Sequence, residues 1–95
     1  MGLLGEDHMG SQFVRAVDLI SANIAEGFGR FFKRDKVKFY RYSSGSIMEA
    51  LDWNEKSKAR QLFAETEYSH ILEELQEMPR ELNQLIKFTN ERLTI

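Results

Sequence analysis

The chain has 95 residues, one proline, no cysteine, and 15 acidic against 13 basic side chains for a net charge of −2. That length suits a single domain with little stability to spare, the near balance of charge argues against a general nucleic-acid coat, and the lack of cysteine excludes a disulfide framework or thiolate metal site and favours the cytoplasm. No apolar run approaches the ~18 residues of a membrane span, and Met1 to His8 carry neither the basic nor the apolar region of a signal peptide, so no membrane role is expected.

Residues 1–10 include Gly2, Gly5 and Gly10 and read as irregular chain. A first helix is predicted over 11–30, where Phe13, Val17, Ile20, Ile24, Phe28 and Phe31 step by three or four and so stack on one side. Ser11 is the expected N-cap, and Gly27 and Gly29 are expected to end the helix. A basic connector follows. A second helix is predicted over 35–61, with Asp35 as N-cap and a core face of Phe39, Tyr42, Ser46, Ala50 and Trp53, broadened by Tyr40, Ile47 and Leu51. The small side chains of Ser43, Ser44, Gly45 and Ser46 should let another backbone come close. A third helix is predicted over 65–92, opened by Glu65 and Glu67 and carrying Tyr68, Ile71, Leu72, Leu75, Leu82, Leu85, Ile86 and Leu93 as its stripe. Pro79 falls inside it and costs about 3 kcal/mol in a regular helix, yet the stripe continues beyond, which points to a kink rather than a break. With no strand pattern and no repeat, the expected fold is all-α: an antiparallel helical bundle with three helices in this chain.

Chemistry is sparse. The histidines are His8 and His70, neither with an evident triad partner. Glu67 and His70 make one Glu-x-x-His pair, whereas di-iron bundles need two such pairs plus further glutamates, so no metal, cofactor or catalytic residue is expected. Between Arg30 and Tyr42, the cations Arg30, Lys33, Arg34, Lys36, Lys38 and Arg41 interleave with Phe31, Phe32, Phe39, Tyr40 and Tyr42, the composition that phosphate contact and base stacking require. The competing reading makes those aromatics core and those lysines a solvated helix start. On the first helix Asn23, Glu26 and Arg30, with Arg15 near the same side, form a candidate hydrogen-bonded seam against another helix or subunit. Glu26 as a general base lacks a partner group.

Three stretches carry a resemblance. Gln12 to Ala16 followed by Ser21-Ala22-Asn23-Ile24-Ala25-Glu26-Gly27-Phe28-Gly29-Arg30, and Phe39 to Tyr42 with Ser44 to Ala50 and Leu82 to Lys87, resemble the four-helix bundle proteins encoded in intervening sequences of 23S rRNA genes. The resemblance implies a homopentameric ring of antiparallel bundles without established enzymatic activity. Relatives of that family include accessory proteins of diversity-generating retroelements, similar pentamers with a basic surface that engage reverse transcriptase and nucleic acid. It further implies that the six cations of 30–41 would make any RNA or DNA contact, and that Asn23, Glu26, Gly27, Ser46 and Glu49 are structural or interface positions. The family's long first helix has no counterpart in the eleven residues before Gln12. Three amphipathic helices would then leave an apolar groove for copies of the chain to close, unless the bundle repacks or a helix is lost from a frame truncated upstream. The expected function is a non-enzymatic, homo-oligomeric helical scaffold binding RNA or another nucleic acid through 30–41. The alternative is a protein-interaction module whose groove accepts a partner helix; an enzyme built on Glu26, or on Glu67 with His70, is the third reading.

Overall fold

A computed structural model describes residues 8–95. It contains α1 (His8–Phe28), α2 (Lys33–Ala59) and α3 (Glu65–Arg92), with no strand among the described residues. The connections 29–32 and 60–64 are too short to cross the molecule, so consecutive helices run antiparallel. Gly27 at the end of α1 therefore meets Tyr40 near the start of α2, and Met9 at the beginning of α1 meets Ser57 near the end of α2.

α1 begins earlier than its apolar stripe implied. His8, Met9 and Gly10 are helical, and Ser11 sits within the helix instead of capping it; the expected irregularity of residues 1–7 lies outside the described residues. Burial of Met9, whose sulfur accepts the Ser57 hydroxyl at 3.6 Å, gives the extra turn a tertiary anchor. Phe13, Ala16, Ile20 and Gly27 are buried, but Val17 and Phe28 of the predicted stripe stand exposed, and Phe31 lies beyond the helix. The stripe is wider than the contact with α2.

In α2 the buried row is Tyr40, Ser43, Ile47, Ala50, Asn54 and Ser57, spaced alternately by three and four residues. The predicted row of Phe39, Tyr42, Ser46, Ala50 and Trp53 is displaced from it. Ser46 and Ala50 are buried as expected, Phe39 and Trp53 are half-buried, and Tyr42 is exposed. Size explains the displacement. Ser43, Ala50 and Ser57 recur every seven residues, and small side chains in this row and at Ala16 and Gly27 of α1 let the two backbones approach until the Ser43 hydroxyl donates to the Ile20 carbonyl at 2.8 Å. Gly45, the residue expected to admit a neighbour, has open space around it instead. The N-cap is Phe32, with no side-chain bond, and Asp35 stands in the first turn, where its charge suits the macrodipole. At the other end Gln61 adopts φ 57° where a glycine is usual, and the bonds from Gln61 N–H to Lys58 and from Leu62 N–H to Ser57, both 2.9 Å, close a Schellman turn.

α3 runs unbroken through Pro79. Its first turn is fastened by the Glu67 carboxylate, which accepts the Ala64 N–H at 2.8 Å. Tyr68, Leu75, Leu82, Ile86 and Thr89 are buried, while Leu93 falls past the helix and is more open. The Tyr68 hydroxyl donates to the Glu55 carboxylate; that bond first, and burial second, raise the phenol above its ordinary pKa.

The three helices share one apolar core from Phe13 through Ile47 to Ile86, but not as a triangle. α1 packs on α2 and α3 packs on α2, whereas no Cα of α1 comes within 8 Å of one in α3. Helices in contact have axes about 8–10 Å apart, so α1 and α3 stand on diagonal corners of a square with α2 between them. The fourth corner is open, and the molecule is a slab of 51 × 22 × 13 Å.

Candidate functional site

The open corner is an apolar groove. At one end a hollow of about 320 Å³ is lined by Ile20 and Ile24 of α1, Ile47 of α2, and Met78, Leu82 and Leu85 of α3. Towards the other end a second hollow of about 210 Å³ is lined by Phe13, Val14, Val17, Phe63 and Ile71, where the Phe13 and Phe63 rings meet at 5.8 Å. Each flanking helix therefore has two apolar edges. On α1 one edge, Phe13, Ala16 and Ile20, lies against α2, and the other, Val14, Val17 and Ile24, faces the groove. On α3 the buried edge is Leu75, Leu82 and Thr89, and the groove edge is Ile71, Met78 and Leu85 at intervals of seven. Acids stand along the banks: Asp18 on α1 and Glu81 on α3.

The six cations singled out in 30–41 divide into three groups. Lys33 and Lys36 cap other helices. The Lys33 ammonium donates to the carbonyls of Asn90 and Leu93, at 3.2 and 3.1 Å, and that of Lys36 to Phe28 and Gly27, at 2.9 and 3.4 Å. These oxygens belong to the negative C-terminal ends of α3 and α1, where a cation satisfies carbonyls that have no helical partner. Arg30 pairs with Glu26 at 2.6 Å and lies 4.6 Å above the Phe39 ring, with Lys38 also 5.5 Å from that ring. Arg34, Lys38 and Arg41 are exposed, as are the rings of Phe31, Phe32 and Tyr42 in the same segment.

Of the polar candidates around α1, Asn23 donates to the Leu19 carbonyl of its own helix at 2.8 Å, Arg15 is exposed, and Glu26 holds Arg30 of the connector, whose place over the Phe39 ring is the contact this set makes with α2 among the described residues. Gly27 is buried because a Cβ there would stand 2.5 Å from the Tyr40 ring. Ser46 is buried and bonds back to the Tyr42 carbonyl at 3.3 Å, and Glu49 accepts the Trp53 indole N–H at 3.4 Å. His70 is exposed, and among the described residues no three His, Asp or Glu side chains are grouped to hold a metal ion. Among the same residues no helix is long and apolar enough to cross a membrane.

Reading from the sequence passed over Asp18, Met78 and Glu81. The repeat of Ile71, Met78 and Leu85 was the available signal, since a second apolar row on one helix implies a second neighbour. The family model for the 23S rRNA-intervening sequence protein matches residues 5–84. No curated protein and no solved structure matches the chain significantly.

Proposed function

Because the chain belongs to the 23S rRNA-intervening sequence protein family, and its three helices leave one corner of a bundle open, we propose that it is a non-catalytic helical scaffold that completes its core with a helix from outside. The observation that carries this reading is the separation of α1 from α3 above an apolar floor. Exposed Val14 and Val17, with half-buried Ile24, Met78 and Leu85, have no partner helix on that side among the described residues, and covering such rows is what drives helix-in-groove recognition. Self-association, pentameric as the family resemblance suggests, would cover the further exposed side chains Phe28, Phe31 and Met48. The cysteine-free composition supports a cytoplasmic setting.

An amphipathic peptide with an apolar seam should shift the methyl resonances of Val17, Ile24, Met78 and Leu85, and Val17→Glu combined with Met78→Glu should abolish that response while circular dichroism stays helical. Peptide titrations that leave those methyls unmoved would end the reading.

A second reading is favoured by the exposure of Arg34, Lys38 and Arg41 and of the Phe31 and Phe32 rings within one segment: a contact for RNA or single-stranded DNA. Charge reversal at Arg34, Lys38 and Arg41 should remove salt-sensitive binding of a single-stranded oligonucleotide without loss of helicity. The same reversal at Lys33 and Lys36 should instead lower the melting temperature, because it sets carboxylates against helix C-terminal carbonyls. Wild-type protein that ignores oligonucleotides at low salt would exclude the contact.

A further inference from the structure

We infer that the outward ridge of α2 is a track for single-stranded nucleic acid, on which Arg34, Lys38 and Arg41 follow the backbone phosphates while Phe31 and Phe32 take a base at the end of the track; this rests on the segment being a nucleic-acid contact. Stepping by four and then three residues, the three cations fall in one line on the helix and rise about 10 Å from first to last. The buried row of Tyr40, Ser43, Ile47 and Ala50 lies about half a turn away, so the line is the part of α2 farthest from the core. Because α2 stands between α1 and α3, that line also faces away from the open corner. Whatever fills the corner leaves it uncovered.

The charges on this line are open to a ligand. The ion pairs among the described residues join Glu26 to Arg30, Asp52 to Lys56 and Glu77 to Arg80, and Arg34, Lys38 and Arg41 enter none of them. Asp35 is the one acid between Arg30 and Met48, and it is half-buried and about a quarter-turn off the line. Past Arg41 the line continues through Gly45, with open space around it, and exposed Met48 to Asp52, whose carboxylate would repel a phosphate and so ends the track. At the other end Phe31 is 70% and Phe32 51% exposed, and their rings meet edge to face at 5.1 Å. The ring that presents its edge keeps both its faces clear of the other, so a face stays open to a base. Phe32 and Arg34 line the same hollow, which sets ring and guanidinium on one site. Cations alone would serve any polyanion, but exposed rings beside them are of use to a base and not to an acidic peptide. A duplex offers phosphates yet keeps its bases stacked, so a single strand is the better fit.

Labelled thymidylate strands of graded length, titrated with the full chain, test this. Affinity should rise with length and level off at about four nucleotides, and its fall with salt should correspond to three phosphates, a slope of about −2 for log K against log salt concentration. Arg34→Gln, Lys38→Gln and Arg41→Gln should each make that slope shallower by about 0.7. Phe31→Ala with Phe32→Ala should weaken binding about tenfold at every salt concentration, with slope and circular dichroism unchanged. Lys58→Gln and Lys87→Gln remove exposed cations elsewhere and should alter neither affinity nor slope. Equal affinity for a duplex or for polyglutamate would overturn the track while leaving the contact itself standing, as would strands that bind Phe31→Ala with Phe32→Ala as tightly as the unaltered chain. Failure of every strand to bind at low salt would overturn this inference and the contact together. An oligomer that Arg34→Gln with Arg41→Gln dissociates, and that binds no strand, would assign the ridge to a second copy and overturn the choice of nucleic acid.

Discussion

Asn54→Asp is expected to cost about 4 kcal/mol of stability at pH 7 and almost nothing at pH 3. The Asn54 side chain is fully buried, its Nδ2 donates to the Tyr68 carbonyl at 3.3 Å, and its Oδ1 has no partner among the described residues. Aspartate keeps the shape but sets a carboxylate against that carbonyl, with no donor to stabilise the charge. Burial without a donor raises a carboxyl by ~3 units or more from its unfolded value of about 3.9, at about 1.4 kcal/mol per unit. Because the folded pKa is the higher one, the folded state binds the proton more tightly. The penalty is therefore absent below about pH 4 and grows as pH rises, until the folded pKa is reached. Below that range the protonated acid donates to Tyr68 as the amide does. Urea midpoints taken across the interval measure the slope, and a loss independent of pH would mean that Asn54 is not buried as described. Asn54→Leu is the complementary variant. It removes the unpartnered oxygen and leaves Tyr68 its helical bond, so it should be neutral or stabilising by about 1 kcal/mol.

Gly27→Ala should destabilise by about 2 kcal/mol, against the usual preference of a helix for alanine over glycine. A Cβ at Gly27 would lie 2.5 and 2.9 Å from two carbons of the Tyr40 ring and 3.1 Å from the Lys36 carbonyl oxygen. Tyr40 is only 1% exposed and cannot swing aside, so relief requires α1 to move off α2. The separation would also weaken the Ser43 bond to Ile20 and the Lys36 cap on α1. Gly45→Ala is the control, because no atom lies within 4 Å of the added methyl and the helix gains up to about 1 kcal/mol. For a chain of this size each kcal/mol moves the melting temperature by about 4–8 °C, so the two variants should move it in opposite directions. If Gly27→Ala also raised it, the close packing of α1 on α2 would be refuted.

The candidate site was legible in part. The apolar rows that bank the groove stand in the sequence as Val17 and Ile24 on one helix and Ile71 and Leu85 on another, and the density of acid on α3 is equally plain. What could not be read was the division of the six cations. Lys33 and Arg34 are neighbours of similar charge, yet Lys33 is held by the carbonyls of Asn90 and Leu93, some sixty residues away, and Arg34 is open to solvent. No local pattern encodes where a distant helix will end.

Local order alone determined that this chain is helical, where its three helices fall to within a few residues, and that each has an apolar side, because a period of 3.6 is set by neighbours three and four positions apart. Tertiary structure decided which row of that side is buried. On α2 greasiness favoured Phe39, Tyr42 and Trp53, but close approach to α1 required the small Ser43, Ala50 and Ser57, and packing density prevailed over hydropathy. It also decided that α1 and α3 would stand apart. Those outcomes depend on shapes and carbonyls that meet only once the chain has folded.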